Sequence, residues 1–178
     1  MKEYLVTGFP RSGTTFTSDL MQAAGYDVRH EKMGADGISS YAWVNPEKRT
    51  LALSEFRHRI HVVRDPLKAV SSACFRFQSM RFIDMFSPVV TGFRENARIR
   101  NVVSAYIVWT READLIADTR IQVEHIDKEL FGGVFAGKIA NTNKSDHGDL
   151  SVDDLYAVLE KDLVLRFLEV RSKFGYGE

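Results

Sequence analysis

The chain has 178 residues, 44% of them apolar and 27% charged, enough to bury a core in a single domain spanning 1–178. Lysine plus arginine equals aspartate plus glutamate at 24 each, which excludes a global basic field for nucleic acid or an anionic membrane, so any anion site must be local. The single cysteine, Cys74, excludes an internal disulfide framework, and without a CxxC or Cys/His cluster no metal is expected.

Residues 4–7 form a short, non-alternating run that predicts a strand buried on both faces, and 14–24 predicts a helix stopped by Gly25. A short strand is expected at 27–29, a polar loop at 34–40, and a weak helical signal covers 38–43. The run RIHVV at 59–63 predicts a second firm strand. It is followed by Asp65 as helix cap and Pro66 at the first helical position, opening a helix to about residue 77. Residues 78–93, with Phe82, Met85, Phe86 and Pro88, fit a lid, a loop or a short helix alike.

From 95 to 118, Val102, Ala105, Tyr106, Trp109, Ala113 and Ile116 recur at helical spacing, so Tyr106 and Trp109 are expected in the core. A strand is expected at 120–126 and a loop at 141–149. Ser151 with Asp154 resembles a capping box for one last helix through Leu155, Leu159, Leu163 and Phe167 to about Lys173. Strands separated by helices predict an α/β fold of three layers, a mainly parallel central sheet flanked by helices. No apolar run approaches the roughly 20 residues of a spanning helix, and 1–7 lack the flanks of a leader, so a cytoplasmic protein without membrane insertion is expected.

The segment between the first strand and helix reads GFPRSGTTF, from Gly8 to Phe16. Glycines permit a tight turn whose N–H groups point inward, and the following helix N-terminus adds partial positive charge, a combination suited to phosphate. A full nucleotide-binding loop has lysine after its second glycine, where this chain has Thr14; Arg11 is the loop's cation instead. Such a loop fits one phosphate better than a triphosphate. Its alternative role is a turn that merely links strand to helix.

Arg64 ends the second firm strand, so a parallel sheet would bring it to the same edge as the first loop. Ser72, about two helical turns on, can offer its hydroxyl to the same anion, with Ser71 as the near competitor; a surface ion pair for Arg64 is the alternative. His30 and Glu31 follow the expected short strand and supply a candidate base. They do not form a zinc signature, because HExxH would require histidine where Gly34 stands. His58 and His61 read as a surface and a packed residue, and Trp43 either packs or stacks on a base.

FPRSGTTF at 9–16 resembles the 5′-phosphate loop of sulfotransferases that use 3′-phosphoadenosine 5′-phosphosulfate (PAPS), and VVRDPLKAVSS at 62–72 resembles their 3′-phosphate motif. The resemblance covers residues 4–75 and implies a P-loop NTPase-like fold. It further implies that Arg11, Ser12, Gly13, Thr14, Thr15 and Phe16 hold the 5′ end and that Arg64 and Ser72 hold the 3′-phosphate. NTNK at 141–144 resembles a late loop that closes over the nucleotide, which adds Asn141 and Lys144.

Many cytosolic members of the family carry lysine where this chain has Arg11, whereas the tyrosylprotein branch carries arginine there. Arginine stays charged, so Arg11 would stabilise the leaving phosphate without giving it a proton. The implied reaction is sulfuryl transfer from PAPS to a hydroxyl or amine of a small-molecule or glycan acceptor. For its base the resemblance slightly favours Glu31, and intrinsic basicity favours His30. The alternatives are a nucleotide kinase or NTPase, or a nucleotide-binding domain of the same fold without transfer activity.

Overall fold

The computed structural model describes residues 1–76, 97–126 and 148–177. Its strands are β1 (Lys2–Thr7), β2 (Val28–His30), β3 (Gly37–Ser39), β4 (Phe56–Val63) and β5 (Thr119–Gln122). Its α-helices are α1 (Thr14–Ala23), α2 (Pro66–Arg76), α3 (Arg98–Ile116), α4 (Val152–Val158) and α5 (Lys161–Lys173). The five strands form one sheet in the order β2-β3-β1-β4-β5, and every pairing is parallel. All five C-terminal ends therefore open on one edge.

Period-two alternation divides the core into two sides. Val6 of β1, Val28 of β2 and Ile60 and Val62 of β4 pack with Leu20 and Met21 of α1. The next residue along β4, Val63, packs with Ala69 and Val70 of α2, Tyr106 and Trp109 of α3, and Phe167 of α5. Helices thus cover both faces of a parallel sheet, giving the three-layer α/β architecture expected from the alternating elements. Among the described residues, no helix is long and apolar enough to cross a membrane.

Four local expectations require correction. Residues 37–39 are a strand rather than loop: Gly37 pairs with Tyr4, and a Cβ at Gly37 would lie 1.9 Å from the Tyr4 carbonyl oxygen, so its glycine serves close approach. The weak helical signal after it becomes a 3-10 turn, Tyr41–Val44, with the Ser40 hydroxyl accepting the Ala42 N–H. The fourth predicted strand stops at Gln122 and passes into the turn Val123–His125. The last helix is two, because Leu159 and Glu160 take extended backbone angles between α4 and α5.

Tyr106 and Trp109 are buried as expected, and Ser151 forms its capping box with Asp154. Trp43 is buried edge-on against Phe56, so it packs and offers no face for stacking. His61 is buried, whereas His58 lies exposed beside Glu3. Asn141 and Lys144 lie outside the described residues, as do 78–93.

Candidate functional site

The chain leaves β1 through α1 towards β2 on one side of the sheet, whereas β4 lies on the other, so the strand order reverses at β1. In open α/β sheets, the crevice at the C-terminal end of such a point is where ligands bind. The loop that begins at Gly8 occupies it.

Several contacts fix that loop. A Cβ on Gly8 would lie 2.3 Å from the Val62 carbonyl oxygen, so only glycine lets the end of β1 run this close to β4. Gly13 has φ 101° and its missing side chain faces Val123, whose Cγ2 would be 2.6 Å from a Cβ there. Trp109 of α3 donates its indole N–H to the Gly8 carbonyl at 3.1 Å, and Ser39 of β3 donates its hydroxyl to the Thr14 carbonyl at 2.7 Å. Four neighbouring parts of the fold therefore hold a turn that the sequence alone shows only as glycines.

Gly13 caps α1 without any side-chain hydrogen bond, leaving first-turn N–H groups for a ligand. Beside them Ser12 is 1% exposed, and its hydroxyl has no hydrogen-bond partner among the described residues. A buried hydroxyl without a partner is costly unless something accepts or donates to it. It supplies a physical reason to expect an oxygen-rich ligand at this loop.

Arg11 adopts φ 74°, the left-handed region that a side chain with Cβ rarely enters. Its Nε donates to Ser72 Oγ on α2 at 3.0 Å, and its carbonyl receives a long contact, 3.5 Å, from Arg64 Nη1. Asp65 caps α2 as expected, its Oδ1 accepting the Leu67 N–H at 3.0 Å. The competing serine has another role: Ser71 donates to the Leu67 carbonyl at 2.6 Å and accepts the Leu150 N–H at 2.7 Å. Of the two hydroxyls, Ser72 is the one that meets Arg11.

The pair after β2 approaches the same loop. His30 Nε2 stands 3.3 Å from Thr14 Oγ1 and 3.2 Å from Thr15 Oγ1. Burial lowers the His30 pKa, with Glu31 and Asp19 pulling against it, so the ring is neutral near pH 7 and can accept a proton. Glu31 is held differently. Its Oε2 accepts from Ser40 Oγ at 2.6 Å and its Oε1 from the Tyr41 N–H at 3.1 Å. The carboxylate lies 3.7 Å from His30 Nε2 and its residue has φ 55°. Arg11 and Glu31 are the two non-glycine residues with positive φ among the described ones. Strain of that kind concentrates at functional sites.

Residues from separate elements thus converge on one edge: Arg11 to Thr15 after β1, His30 and Glu31 after β2, Arg64 after β4 and Ser72 on α2. Sequence reading missed the supports Ser39, Ser40, Trp109 and Val123, since none belongs to a motif, and Ser39, Trp109 and Val123 act across long separations. No family model matches this chain, nor does any curated protein or solved structure.

Proposed function

We propose that the protein is a PAPS-dependent sulfotransferase of P-loop-like fold, and the Arg11–Ser72 hydrogen bond is the observation that carries the reading. It joins the two motifs whose resemblance suggested one nucleotide with two phosphate groups. A turn that merely linked β1 to α1 would need neither the arginine contact nor the partnerless Ser12 hydroxyl.

The residues present suit the donor. First-turn N–H groups of α1, Ser12, Thr14 and Thr15 would bind the 5′-phosphate, and Arg64 with Ser72 the 3′-phosphate. Bound PAPS would supply the sulfuryl group. Arg11, between the two stations, would stabilise the negative charge that gathers on the 5′-phosphate as its oxygen takes the electron pair of the breaking S–O bond. Positioning and charge stabilisation dominate related group transfers, and this cluster provides both.

For the base, the geometry favours His30 over Glu31. His30 Nε2 touches the loop threonines and is neutral, so it can take the proton released when an acceptor oxygen or nitrogen bonds to sulfur. Glu31, with both oxygens engaged, would orient His30 and stabilise the imidazolium. The acceptor is a small molecule or glycan bearing a hydroxyl or amine.

Thermal-shift titration tests the reading. Stabilisation by 3′,5′-diphosphoadenosine without magnesium supports it, whereas a response only to ATP with magnesium supports a kinase or NTPase and sinks it. Radiolabelled PAPS offered to pooled acceptors then separates a transferase from a domain that only binds.

A further inference from the structure

The turn after β5 touches both anion stations while belonging to neither motif. Val123 closes on Gly13 of the first loop. Glu124 reaches the second: its Oε1 accepts the Asp65 backbone N–H at 3.0 Å, and its Oε2 accepts the Tyr176 hydroxyl. Tyr176 lies beyond α5, where Gly175 at φ 79° reverses the backbone and the Tyr176 N–H returns to the Arg171 carbonyl at 3.1 Å. Arg171 in turn places Nε 3.7 Å from Asp65 Oδ1, the oxygen that caps α2.

The backbone between Arg64 and Pro66 is therefore gripped from outside the strand and helix it connects. We propose that Glu124 and Tyr176 form a clasp by which the C-terminal segment holds the Arg64–Asp65 turn, making them positioning residues for recognition of the nucleotide 3′-phosphate. The proposal rests on the sulfotransferase reading of Arg64 and Ser72.

Three features support a role in positioning over one in packing. Glu124 is exposed, so its carboxylate adds little to the core. Its bond to the Asp65 N–H is charge-assisted and fixes the peptide directly after Arg64. Burial and the neighbouring Glu124 raise the Tyr176 pKa, so its hydroxyl remains a donor, and Arg64 is close enough to oppose that rise. The clasp and the guanidinium thus occupy one neighbourhood.

Isothermal titration with 3′,5′-diphosphoadenosine and with adenosine 5′-monophosphate, alongside hydrogen exchange, tests the clasp. Tyr176→Phe removes one hydroxyl and should weaken the diphosphate about tenfold, as expected for one lost hydrogen bond, while changing the monophosphate less than about twofold. Exchange should quicken in 64–72 and stay unchanged in 98–116. Glu124→Ala, at an exposed position, should repeat this selective loss; Glu124→Gln, which keeps an acceptor for the Asp65 N–H, should recover most of it. Equal losses for both nucleotides, or unchanged affinity with unchanged exchange in 64–72, overturn the proposal. If the wild type binds neither nucleotide, the sulfotransferase reading falls, and exchange alone decides the clasp: quickening in Tyr176→Phe upholds it, no change removes it.

Discussion

Arg11 Nε donates to Ser72 Oγ over 3.0 Å although 61 positions separate the two residues, so the loop after β1 and the helix after β4 meet through side chains. The contact separates the roles of two adjacent serines. Ser72→Ala should weaken 3′,5′-diphosphoadenosine about tenfold, the scale of one hydrogen bond to a charged group, with little change in folding stability. Ser71→Ala should do the reverse, because it deprives the Leu150 N–H of its acceptor and costs about 1 kcal/mol of stability. Paired titration calorimetry and urea unfolding read both quantities, and an exchange of the two phenotypes would move the anion contact to Ser71.

The proposed function divides the arginines by the step each would serve. Arg64→Ala should weaken the 3′-phosphorylated nucleotide much more than adenosine 5′-monophosphate, and equal losses would remove Arg64 from the 3′ station. Arg11→Ala should instead lower kcat by more than it raises KM, about 100-fold or more if charge on the leaving phosphate is its target. A pure KM effect would reduce Arg11 to a binding residue.

As the proposed base, His30 would give the reaction a pH signature. Burial places its pKa below the ordinary value near 6.5, so kcat/KM should be level at neutral pH and fall on acidification as the ring protonates. His30→Gln should abolish that acidic limb and slow transfer about 100-fold or more. Glu31 opposes the depression, so Glu31→Gln should move the limb to still lower pH while keeping transfer measurable. Loss of both limb and rate in Glu31→Gln alone would make Glu31 the base.

The residues of the proposed phosphate stations stand out in the chain more readily than the parts that hold them. Gly8, Gly13, Arg11, Arg64 and Ser72 were legible because each follows from local chemistry: a tight turn, a strand end, a hydroxyl two helical turns onward. β3 was not, since Gly37 looks like a loop residue until its backbone is set against Tyr4. Leu159 fits the helical period of 151–173 yet lies in the break between α4 and α5, so periodicity alone joined two helices. Trp109 was recognised as core from its spacing, but its bond to the Gly8 carbonyl links positions 101 residues apart and leaves no mark in either segment.

That bond can be isolated. Trp109→Phe retains an aromatic ring in the core but leaves the Gly8 carbonyl without its indole donor, which should cost about 1–3 kcal/mol. The freed carbonyl lies at the base of the loop proposed to bind phosphate, so nucleotide affinity should fall as well. Stability lost with affinity intact, measured by urea unfolding and titration on the same variant, would confine Trp109 to the core.

The face of β4 turned away from α1 should govern acid stability. His61, 0% exposed, has Nδ1 2.7 Å from Asp114 Oδ1, and the same carboxylate also receives Arg120 and Lys173. Burial lowers the His61 pKa against the pull of Asp114, whereas His61, Arg120 and Lys173 hold the Asp114 pKa far below the carboxylate range despite partial burial. The signs then follow. Below about pH 6.5 the unfolded chain protonates its histidine before the folded one does, so stability falls with pH. Asp114 stabilises above its unfolded pKa, about 3.9, and that contribution disappears only as pH falls towards its much lower folded value. His61→Gln retains a donor for Asp114 but cannot titrate, so between pH 7.5 and 5.5 its unfolding free energy should decline less than the wild type's. Asp114→Asn should cost about 1 kcal/mol at pH 7, since Arg120 and Lys173 are solvent-exposed and lose only a screened partner, while buried His61 keeps an amide oxygen as its acceptor. Urea unfolding at both pH values measures these differences, and parallel declines in wild type and His61→Gln would show that His61 is not the titrating group.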